Sequence, residues 1–294
     1  MSNVTINVCA LFRNSQAHIH RTLEQLSNLT LIEGINWNFF FFENDSRDNT
    51  KEILSNWSAL YGAKLISENY NAPSFGSIAS SIRTSLLAFY RNKIKEEAAQ
   101  VPSDYTLVID SDLTWTNQDF EELYTNLIYR SDNTVAVLGS CVQTNIGDFT
   151  FGTEHPAYYD LFCFRDKFYG AGLYFSCSPF VDSRDTSIFM LGQPVEVKSG
   201  FGGMALYKSF AYNAEGTHYE GQVQSEHISL CAGLSRFGQI LAIPTCKPTT
   251  MIDLSTINIE NCKLIGKQQL EQYHMTNQLR ELSVADEYKF KFNQ

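Results

Sequence analysis

The amino-acid sequence predicts an α/β fold with a mostly parallel central sheet and helices on both of its faces. Short apolar runs alternate with amphipathic segments through the first half of the chain, which is the order of elements found in such sheets. Polar clusters directly follow three of the apolar runs, and ligands bind at that end of the strands in open α/β sheets. Of the 294 residues, 44% are hydrophobic, so the chain can bury the core of one large domain.

The elements of the first half follow from local residue patterns. Val4–Phe12 alternates apolar residues and then becomes continuously apolar, which indicates a buried strand. Ser15 is a suitable N-cap for a helix over about residues 17–29. The elements expected next are strands at 37–42 and 63–68 with a helix between them that buries Ile53, Leu54 and Trp57, a helix at 77–98 that carries Ile78, Ile82, Leu86 and Phe89 at helical spacing, and a buried strand that runs from Leu107 into Asp110.

The second half of the chain is less regular. Residues 143–194 are rich in aromatic residues and glycine with weak periodicity, which is typical of an irregular segment that walls a pocket. The elements expected around this segment are a helix at 119–129, strands at 135–141 and 239–244, a strand-like stretch at 195–207, a helix at 225–237 and an amphipathic helix at 266–287 that packs across the domain.

Three polar clusters define the predicted site. Arg13-Asn14, residues 43–50 and Asp110-Ser111-Asp112 all follow predicted strands, so we expect them to converge on one crevice at the edge of the sheet. Two carboxylates at i and i+2 after a buried strand can turn toward one hard divalent cation that is carried by a phosphate ligand. The alternative is an acidic turn that caps the following segment, where Asn117 or Asp119 could start a helix.

Composition argues against several other classes of protein. The net charge of −10 disfavours nucleic acid as a partner, because that contact depends on basic side chains that neutralise phosphates. The seven cysteines are scattered without a Cys-x-x-Cys pair, which indicates reduced thiols. There is no signal-like N-terminus and no apolar run near the roughly 20 residues that span a bilayer. We therefore expect a soluble, cytoplasmic protein with no membrane span in this chain.

Residues 39–54 (FFFFENDSRDNTKEIL) resemble the strand-turn-helix motif of glycosyltransferases with the GT-A fold, and Asp110-Ser111-Asp112 matches their Asp-x-Asp motif. The resemblance implies a bound nucleotide-diphosphate sugar, linked to GDP or UDP, and Mn²⁺ or Mg²⁺ as cofactor. It implies that Glu43 hydrogen-bonds the base or ribose and that Asp48 holds the turn. Asp112 would bind the metal directly, whereas Asp110 would lie nearer the ribose or bind the metal through water. Arg13 completes this part of the donor site.

Residues 83–92 (RTSLLAFYRN) and 159–166 (YDLFCFRD) resemble segments of the fungal capsule-associated α-mannosyltransferase family and of related bacterial and viral enzymes. Arg83 and Arg91 are eight residues apart on a predicted helix, so they share a face and could both point toward the donor phosphates. The alternative for Arg91 is a solvated helix charge. The resemblance around Asp160 implies a place on the acceptor side.

Two further segments resemble the acceptor side of GT-A enzymes. In residues 199–204 (SGFGGM), Gly202 and Gly203 would let the backbone approach a sugar closely, although a bulged strand is an equally good interpretation. Ser225-Glu226-His227 resembles the acidic pair that begins a helix in many inverting enzymes. If Glu226 is the general base, the enzyme inverts. If Glu226 only binds sugar and His227 reaches the metal, retention follows; a third interpretation makes His227 a polar helix N-terminal residue.

The function implied by these resemblances is transfer of a hexose, with mannose and glucose as candidates, from a nucleotide-diphosphate sugar to a glycan hydroxyl. The corresponding division is one domain over residues 1–294, with a donor-binding half (1–141), an acceptor-binding half (142–250) and a C-terminal helical extension (251–294). A sugar-1-phosphate nucleotidyltransferase is an alternative, but residues 12–15 lack the glycines that such enzymes carry after the first strand. A non-catalytic carbohydrate-binding module is another, against which the intact Asp110, Asp112 and Glu226 argue.

Overall fold

The computed structural model of the chain describes residues 3–75, 80–130, 133–143, 145–146, 149–150, 157–173, 176–221 and 225–250. Within these ranges the strands are β1 (Val4–Phe12), β2 (Ile35–Asn44), β3 (Lys64–Glu68), β4 (Tyr105–Asp110), β5 (Leu113–Thr114), β6 (Thr134–Leu138), β7 (Val142–Gln143), β8 (Asn145–Ile146), β9 (Phe149–Thr150), β10 (Ala157–Tyr158), β11 (Arg165–Asp166), β12 (Val195–Ser199), β13 (Met204–Lys208), β14 (Gln239–Ala242) and β15 (Thr249–Thr250). The helices in the same ranges are α1 (Ile19–Leu29), α2 (Thr50–Tyr61), α3 (Ser81–Ala98), α4 (Asn117–Ile128), α5 (Ser183–Met190), α6 (Ser209–Tyr212) and α7 (Glu226–Leu234).

Nine of the described strands form one large sheet in the order β11-β12-β14-β6-β13-β4-β1-β2-β3, and β8 pairs with β9 separately. All of its strands run in one direction except β12 and β13, which are antiparallel to their neighbours. A smaller sheet has the order β10-β7-β15-β5. The predicted fold class, a mostly parallel sheet with helices on both faces, is therefore confirmed.

The strand ends meet at one edge of the sheet. Phe12, the last residue of β1, pairs with Glu43 of β2, and Leu11 pairs with Asp110 at the end of β4. This register brings the residues that follow β1, β2 and β4 to the same place, as expected from their sequence pattern.

The core lies on both faces of the sheet. Phe40 and Phe42 of β2 belong to the cluster that contains the buried side of α3, while Phe39 and Phe41 belong to the opposite cluster with α1. Phe42 stacks on Tyr90 with 5.2 Å between ring centroids. A parallel strand covered on both faces is continuously apolar, which explains the run of phenylalanines.

The starts of two helices differ from the sequence expectation. The N-cap of α1 is His18, not Ser15. The Ser15 hydroxyl instead donates to the carbonyl of Arg13, and the Ser15 backbone N–H donates to Oγ1 of Thr50 at 2.7 Å, so this residue ties β1 to α2. The residue before α4, Thr116, caps that helix in a reciprocal capping box with Asp119, which is the third residue of the helix.

The buried face of α3 also differs from the one expected. Ile82 is 63% exposed and Phe89 is 43% exposed, whereas Thr84 and Arg91 are buried. Thr84 donates from Oγ1 to the carbonyl oxygen of Gly221 at 2.6 Å. The buried side of α3 therefore combines Thr84 and Arg91 with apolar residues, so apolar spacing alone does not identify it. Ile78 and the expected helix at 266–287 lie outside the described residues.

Residues 195–207 form two strands, β12 and β13, instead of one strand-like stretch. In the sheet these strands are separated by β14 and β6, so the segment that connects them crosses the ends of those two strands. Gly202 and Gly203 in this crossing have positive φ angles of 62° and 72°. A Cβ atom on Gly202 would lie 1.8 Å from the carbonyl oxygen of Gly139. Only glycine fits there, because the backbone conformation and the adjacent end of β6 both exclude a side chain.

In the described part of the chain, none of the helices combines the length and apolar character needed to cross a membrane.

Candidate active site

A cavity of about 500 Å³ opens where β1, β2 and β4 end. This volume is within the usual range for small-molecule sites. The ionisable residues that line it are Arg13, His18, Arg83, Tyr90, Arg91, Asp110, Asp112, Tyr158, Tyr159, Asp160, Glu226 and His227. The cavity therefore brings together residues from both predicted halves of the chain.

The turn after β2 is held by its own side chains. Glu43 is 2% exposed; one of its oxygens accepts from the backbone N–H of Ser46 at 2.9 Å, and the other accepts from Oγ of Ser67. Asp48 accepts from the N–H groups of Thr50 and Gln16. Both carboxylates thus stabilise the turn, and a contact between Glu43 and a nucleoside stays a prediction.

Arg13 and Arg83 line the cavity with half-buried side chains. The Arg13 guanidinium donates to the carbonyl oxygens of Ala72 and Pro73, which fixes its direction. Arg83 and Arg91 both line the cavity from α3, and their contact with donor phosphates stays a prediction.

Arg91 is the central charge of the cavity wall. Its Nε donates to Oε1 of Glu226 at 2.9 Å, and one terminal nitrogen donates to Oδ1 of Asp110 at 2.8 Å. The guanidinium also lies over the rings of Phe201 and Tyr219. Burial lowers the pKa of Arg91, but the two carboxylates outweigh it and raise that pKa well above its ordinary value. The alternative of a solvated helix charge is wrong, because Arg91 is 5% exposed.

Asp112 lines the cavity and is exposed, two residues beyond Asp110. Its carboxylate is open to the cavity but crowded by protein, and this desolvation, together with the negative charge of Asp110, raises its pKa to about 6. The positive charges of Arg21 and Arg83 act in the opposite direction. Two carboxylates that repel each other in this way form a place where a cation would be stabilised.

Asp110 and Asp112 are the residues that could hold a hard divalent cation between them. Among the residues that the structure describes, no three histidine, cysteine, aspartate or glutamate side chains form a group that could hold a metal ion. Mg²⁺ is commonly held by one or two carboxylates plus phosphate oxygens and water, and Asp110 and Asp112 provide that number. His227 as an additional ligand stays a prediction.

His227 is buried against Phe201, with ring centroids 4.0 Å apart and the rings nearly parallel. Burial, and then the charge of Arg91, lowers the pKa of His227 well below its ordinary value, so the imidazole is neutral. Neither ring nitrogen has a hydrogen-bond partner in the described part of the chain, and Nε2 lies 3.7 Å from Oε1 of Glu226. Ser225 caps α7 by accepting from the His227 backbone N–H.

Asp160 is held in place by a hydrogen bond from the segment that connects β12 to β13. Its Oδ2 accepts from the backbone N–H of Gly202 at 2.8 Å and from Sγ of Cys163 at 2.9 Å. Burial, together with the charges of Asp110 and Glu226, raises the pKa of Asp160 to about 7. Its backbone has a φ of 65°, in the left-handed region that aspartate tolerates better than most residues.

Sequence reasoning had no signal for the pairing of Arg91 with Glu226 or for the environment of Asp160. The residues of the first pair are 135 positions apart in the chain. A buried arginine between two acidic residues depends on how α3 and α7 pack, which local patterns do not encode.

Comparisons with known proteins show the fold. No protein-family model matches the sequence, and no curated protein matches it significantly. Residues 1–349 of TarS from S. aureus superpose with a TM-score of 0.51 at 12% identity, over 84% of this chain and 60% of that one. The same fragment in complex with UDP gives 0.51 at 11% identity, over 85% and 61%. The mannosyltransferase PcManGT from Pyrobaculum calidifontis, in complex with GDP-Man and Mn²⁺, gives 0.48 at 12% identity, over 83% and 56%.

The chain thus spans about 60% of the length of the TarS fragment that it resembles. At this level of identity the likeness establishes the architecture, which is the GT-A type fold of glycosyltransferases.

Proposed function

We propose that this protein is a glycosyltransferase that moves a hexose, mannose or glucose, from a GDP- or UDP-linked sugar to a hydroxyl group of a glycan. The observation that carries the proposal is the arrangement of Asp110 and Asp112 with Arg13 and Arg83 in one cavity, at the strand ends of a GT-A sheet. Carboxylates for a cation and arginines for phosphates are the two groups that a nucleotide diphosphate requires.

The donor side of the cavity supports a bound diphosphate. Arg13 and Arg83 supply positive charge in a chain whose net charge is −10, and neither side chain forms an ion pair with a described residue. Arginine binds phosphate oxygens through two parallel hydrogen bonds, so these residues would orient the diphosphate as well as attract it.

Asp110 and Asp112 would hold Mn²⁺ or Mg²⁺ together with phosphate oxygens. When bound, the cation supplies neutralisation of the charge that develops on the leaving diphosphate. Asp112 provides the carboxylate that is open to the cavity, whereas Asp110 shares one oxygen with Arg91. The complex of the TarS fragment with UDP is consistent with a nucleotide diphosphate in a cavity of this fold.

The acceptor side of the same cavity contains Asp160, Glu226 and His227. These are the side chains that could bind a sugar hydroxyl or take its proton. Gly202 and Gly203 as acceptor-binding residues stay a prediction, because a Cβ atom on either glycine would meet protein atoms, those of Gly139 and Leu113, and neither glycine is among the residues that line the cavity.

Calorimetric titration with UDP, GDP, ADP and CDP tests the proposal. We expect at least one of these nucleotides to bind in the presence of Mn²⁺ and to lose most of its affinity when EDTA removes the metal. A carbohydrate-binding module would bind glycans but none of the four nucleotides, and that result would overturn the proposal. The same panel identifies the base of the donor.

Binding of Mn²⁺ and nucleotide should strengthen as the pH rises toward about 6 and then level off. Because the pKa of Asp112 is raised to about 6, its carboxyl is protonated below that pH and must lose the proton before it binds a cation. The ionisation of Asp112 should therefore contribute about a tenfold increase in the apparent dissociation constant for each pH unit below about 6. Titrations across this range measure the effect.

The matched control for this pH dependence is Asp112→Asn. The phosphate of the nucleotide itself titrates at about pH 6, and it does so equally with both proteins. The variant should bind more weakly and with a shallower pH dependence than the wild type. Equal slopes for the two proteins would show that Asp112 does not bind the cation.

A further inference from the structure

Asp160, Glu226 and His227 are three candidates for the group that takes a proton from the acceptor. Such a group must be able to accept a proton near neutral pH and must present a free atom to the substrate. The three residues line the same cavity but differ in what their polar atoms already contact.

Glu226 is committed to Arg91. Its side chain is 5% exposed, and its Oε1 accepts the bond from Nε of Arg91 at 2.9 Å. Protonation of Glu226 would break a buried ion pair and leave the guanidinium with Asp110 as its remaining carboxylate. His227 is also a poor base, because burial and Arg91 disfavour its protonated form.

Asp160 has an unbonded oxygen and, unlike Glu226, forms no ion pair with a described residue, so it can take a proton without leaving a buried cation unpaired. Its Oδ2 holds the N–H of Gly202 and the thiol of Cys163, whereas Oδ1 accepts no hydrogen bond from any described residue. The side chain lines the cavity, so Oδ1 is the oxygen available to a ligand. The two bonds to Oδ2 fix the direction in which Oδ1 points.

The backbone around Gly202 ties this carboxylate to the donor side. Gly202 donates to Asp160, and the next residue, Gly203, accepts at its carbonyl oxygen from the N–H of Asp110 at 2.8 Å. Gly202 cannot carry a side chain, since a Cβ there would overlap the carbonyl group of Gly139. The segment between β12 and β13 therefore holds both Asp160 and the end of β4, and it positions Asp160 beside the predicted diphosphate site.

We propose, on the premise of the glycosyltransferase function above, that Asp160 is the general base for the acceptor hydroxyl and that Glu226 is a positioning residue for Arg91. The acceptor oxygen forms a bond to the anomeric carbon of the donor sugar. The bond from that carbon to the diphosphate oxygen breaks, and the diphosphate keeps the electron pair. The proton of the hydroxyl moves to Oδ1 of Asp160. This displacement inverts the anomeric configuration.

The electrostatic environment agrees with this role. Burial, then Asp110 and Glu226, raise the pKa of Asp160 to about 7, while the bonds from Cys163 and Gly202 lower it. A base whose pKa is near the working pH is the most effective. The other ionisable groups around this carboxyl are Cys141, Tyr158, Tyr159 and Cys231, and Arg91 and His227 share the cavity with it.

The test measures hydrolysis of a nucleotide sugar by the full chain in the presence of Mn²⁺, with water as the acceptor. The donors are UDP-glucose, UDP-N-acetylglucosamine and GDP-mannose. Wild-type kcat for hydrolysis, measured with saturating Mn²⁺ and donor so that the pH dependence of their binding does not contribute, should rise with pH along a limb that reports the ionisation of Asp160. Asp160→Asn should lower turnover at least about 100-fold and abolish the limb, with the dissociation constant of the nucleotide changed less than about twofold. The released sugar, examined by NMR before it mutarotates, should have the inverted configuration.

Three variants keep the proposal falsifiable. Cys163→Ala removes a hydrogen bond that lowers the pKa of Asp160, so the pH-dependent limb should move to higher pH. This shift tests the role of Asp160 even if Asp160→Asn fails to fold. Glu226→Gln should lower the melting temperature and keep the limb. Glu33 is an exposed carboxylate away from the cavity, so Glu33→Gln should have the turnover, pH profile and melting temperature of the wild type.

The contrary results are distinct from one another. Loss of the limb in Glu226→Gln, an unchanged limb in Asp160→Asn or Cys163→Ala, or retention of configuration would overturn the role of Asp160 and leave the proposed function standing. Absence of any nucleotide binding by the wild type would overturn the proposed function and, with it, this assignment.

Discussion

Asp112→Ala is expected to lower metal-dependent turnover of the nucleotide sugar by at least about two orders of magnitude. The substitution removes the carboxylate that is open to the cavity, and Asp110 keeps one oxygen on Arg91. A cation would then have a single, partly engaged carboxylate in addition to the phosphates. Initial rates of nucleotide diphosphate release with Mn²⁺, compared with those of the wild type, measure the loss.

Stability measurements separate this loss of activity from unfolding. Burial and the charge of Asp110 disfavour the ionised form of Asp112, so its removal should leave the melting temperature unchanged or raise it. Glu121→Ala removes an exposed carboxylate on α4, outside the cavity, and should retain wild-type activity. Turnover by Asp112→Ala that persists in the presence of EDTA would contradict the metal site.

Arg91→Met is expected to lower the free energy of unfolding by about 3–5 kcal/mol at neutral pH. Arg91 is buried between Asp110 and Glu226, and methionine would leave the Glu226 carboxylate without its partner in a place that water barely reaches. The free energy of unfolding of Arg91→Lys should lie between those of Arg91→Met and the wild type. Lysine keeps the positive charge, but an ammonium cannot form the two directed hydrogen bonds of the guanidinium. Urea denaturation of the three proteins measures the differences.

A double-mutant cycle identifies the origin of this cost. Glu226→Gln removes the charge that Arg91→Met leaves unpaired, so the two substitutions together should cost less than the sum of their separate effects. Arg184→Met, at an exposed position of α5, is the matched control and should change the free energy of unfolding by less than about 0.5 kcal/mol. Additive effects of Arg91→Met and Glu226→Gln would mean that their ion pair does not stabilise the fold.

The sequence predicted the parts of the fold that depend on local patterns. The continuous apolar runs of β1, β2 and β4 identified buried parallel strands, and the polar residues after them identified the edge where the cavity opens. Arg83 and Arg91 could be placed roughly on one side of a helix, because eight residues make about 2.2 helical turns. These inferences need only the period of a strand or helix and the direction of the sheet.

The errors lie where long-range contacts override local patterns. Apolar spacing put Ile82 and Phe89 on the inner face of α3, but both are exposed, whereas Thr84 and Arg91 are buried through hydrogen bonds to Gly221 and Glu226. Ser15 has the chemistry of an N-cap, yet its hydroxyl donates to the carbonyl of Arg13 and its N–H is bound by Thr50 of α2. In both cases a partner distant in sequence determines the position of the side chain.

By itself, then, the sequence determined the α/β architecture and the edge of the sheet where acidic and basic residues gather. Only the tertiary structure decided what each charge does there. It paired Arg91 with Glu226 across 135 positions, left Asp112 open to the cavity and gave Asp160 one bonded and one free oxygen. The physical reason is that burial and ion pairing depend on three-dimensional distance, whereas sequence patterns report neighbours only within a few residues.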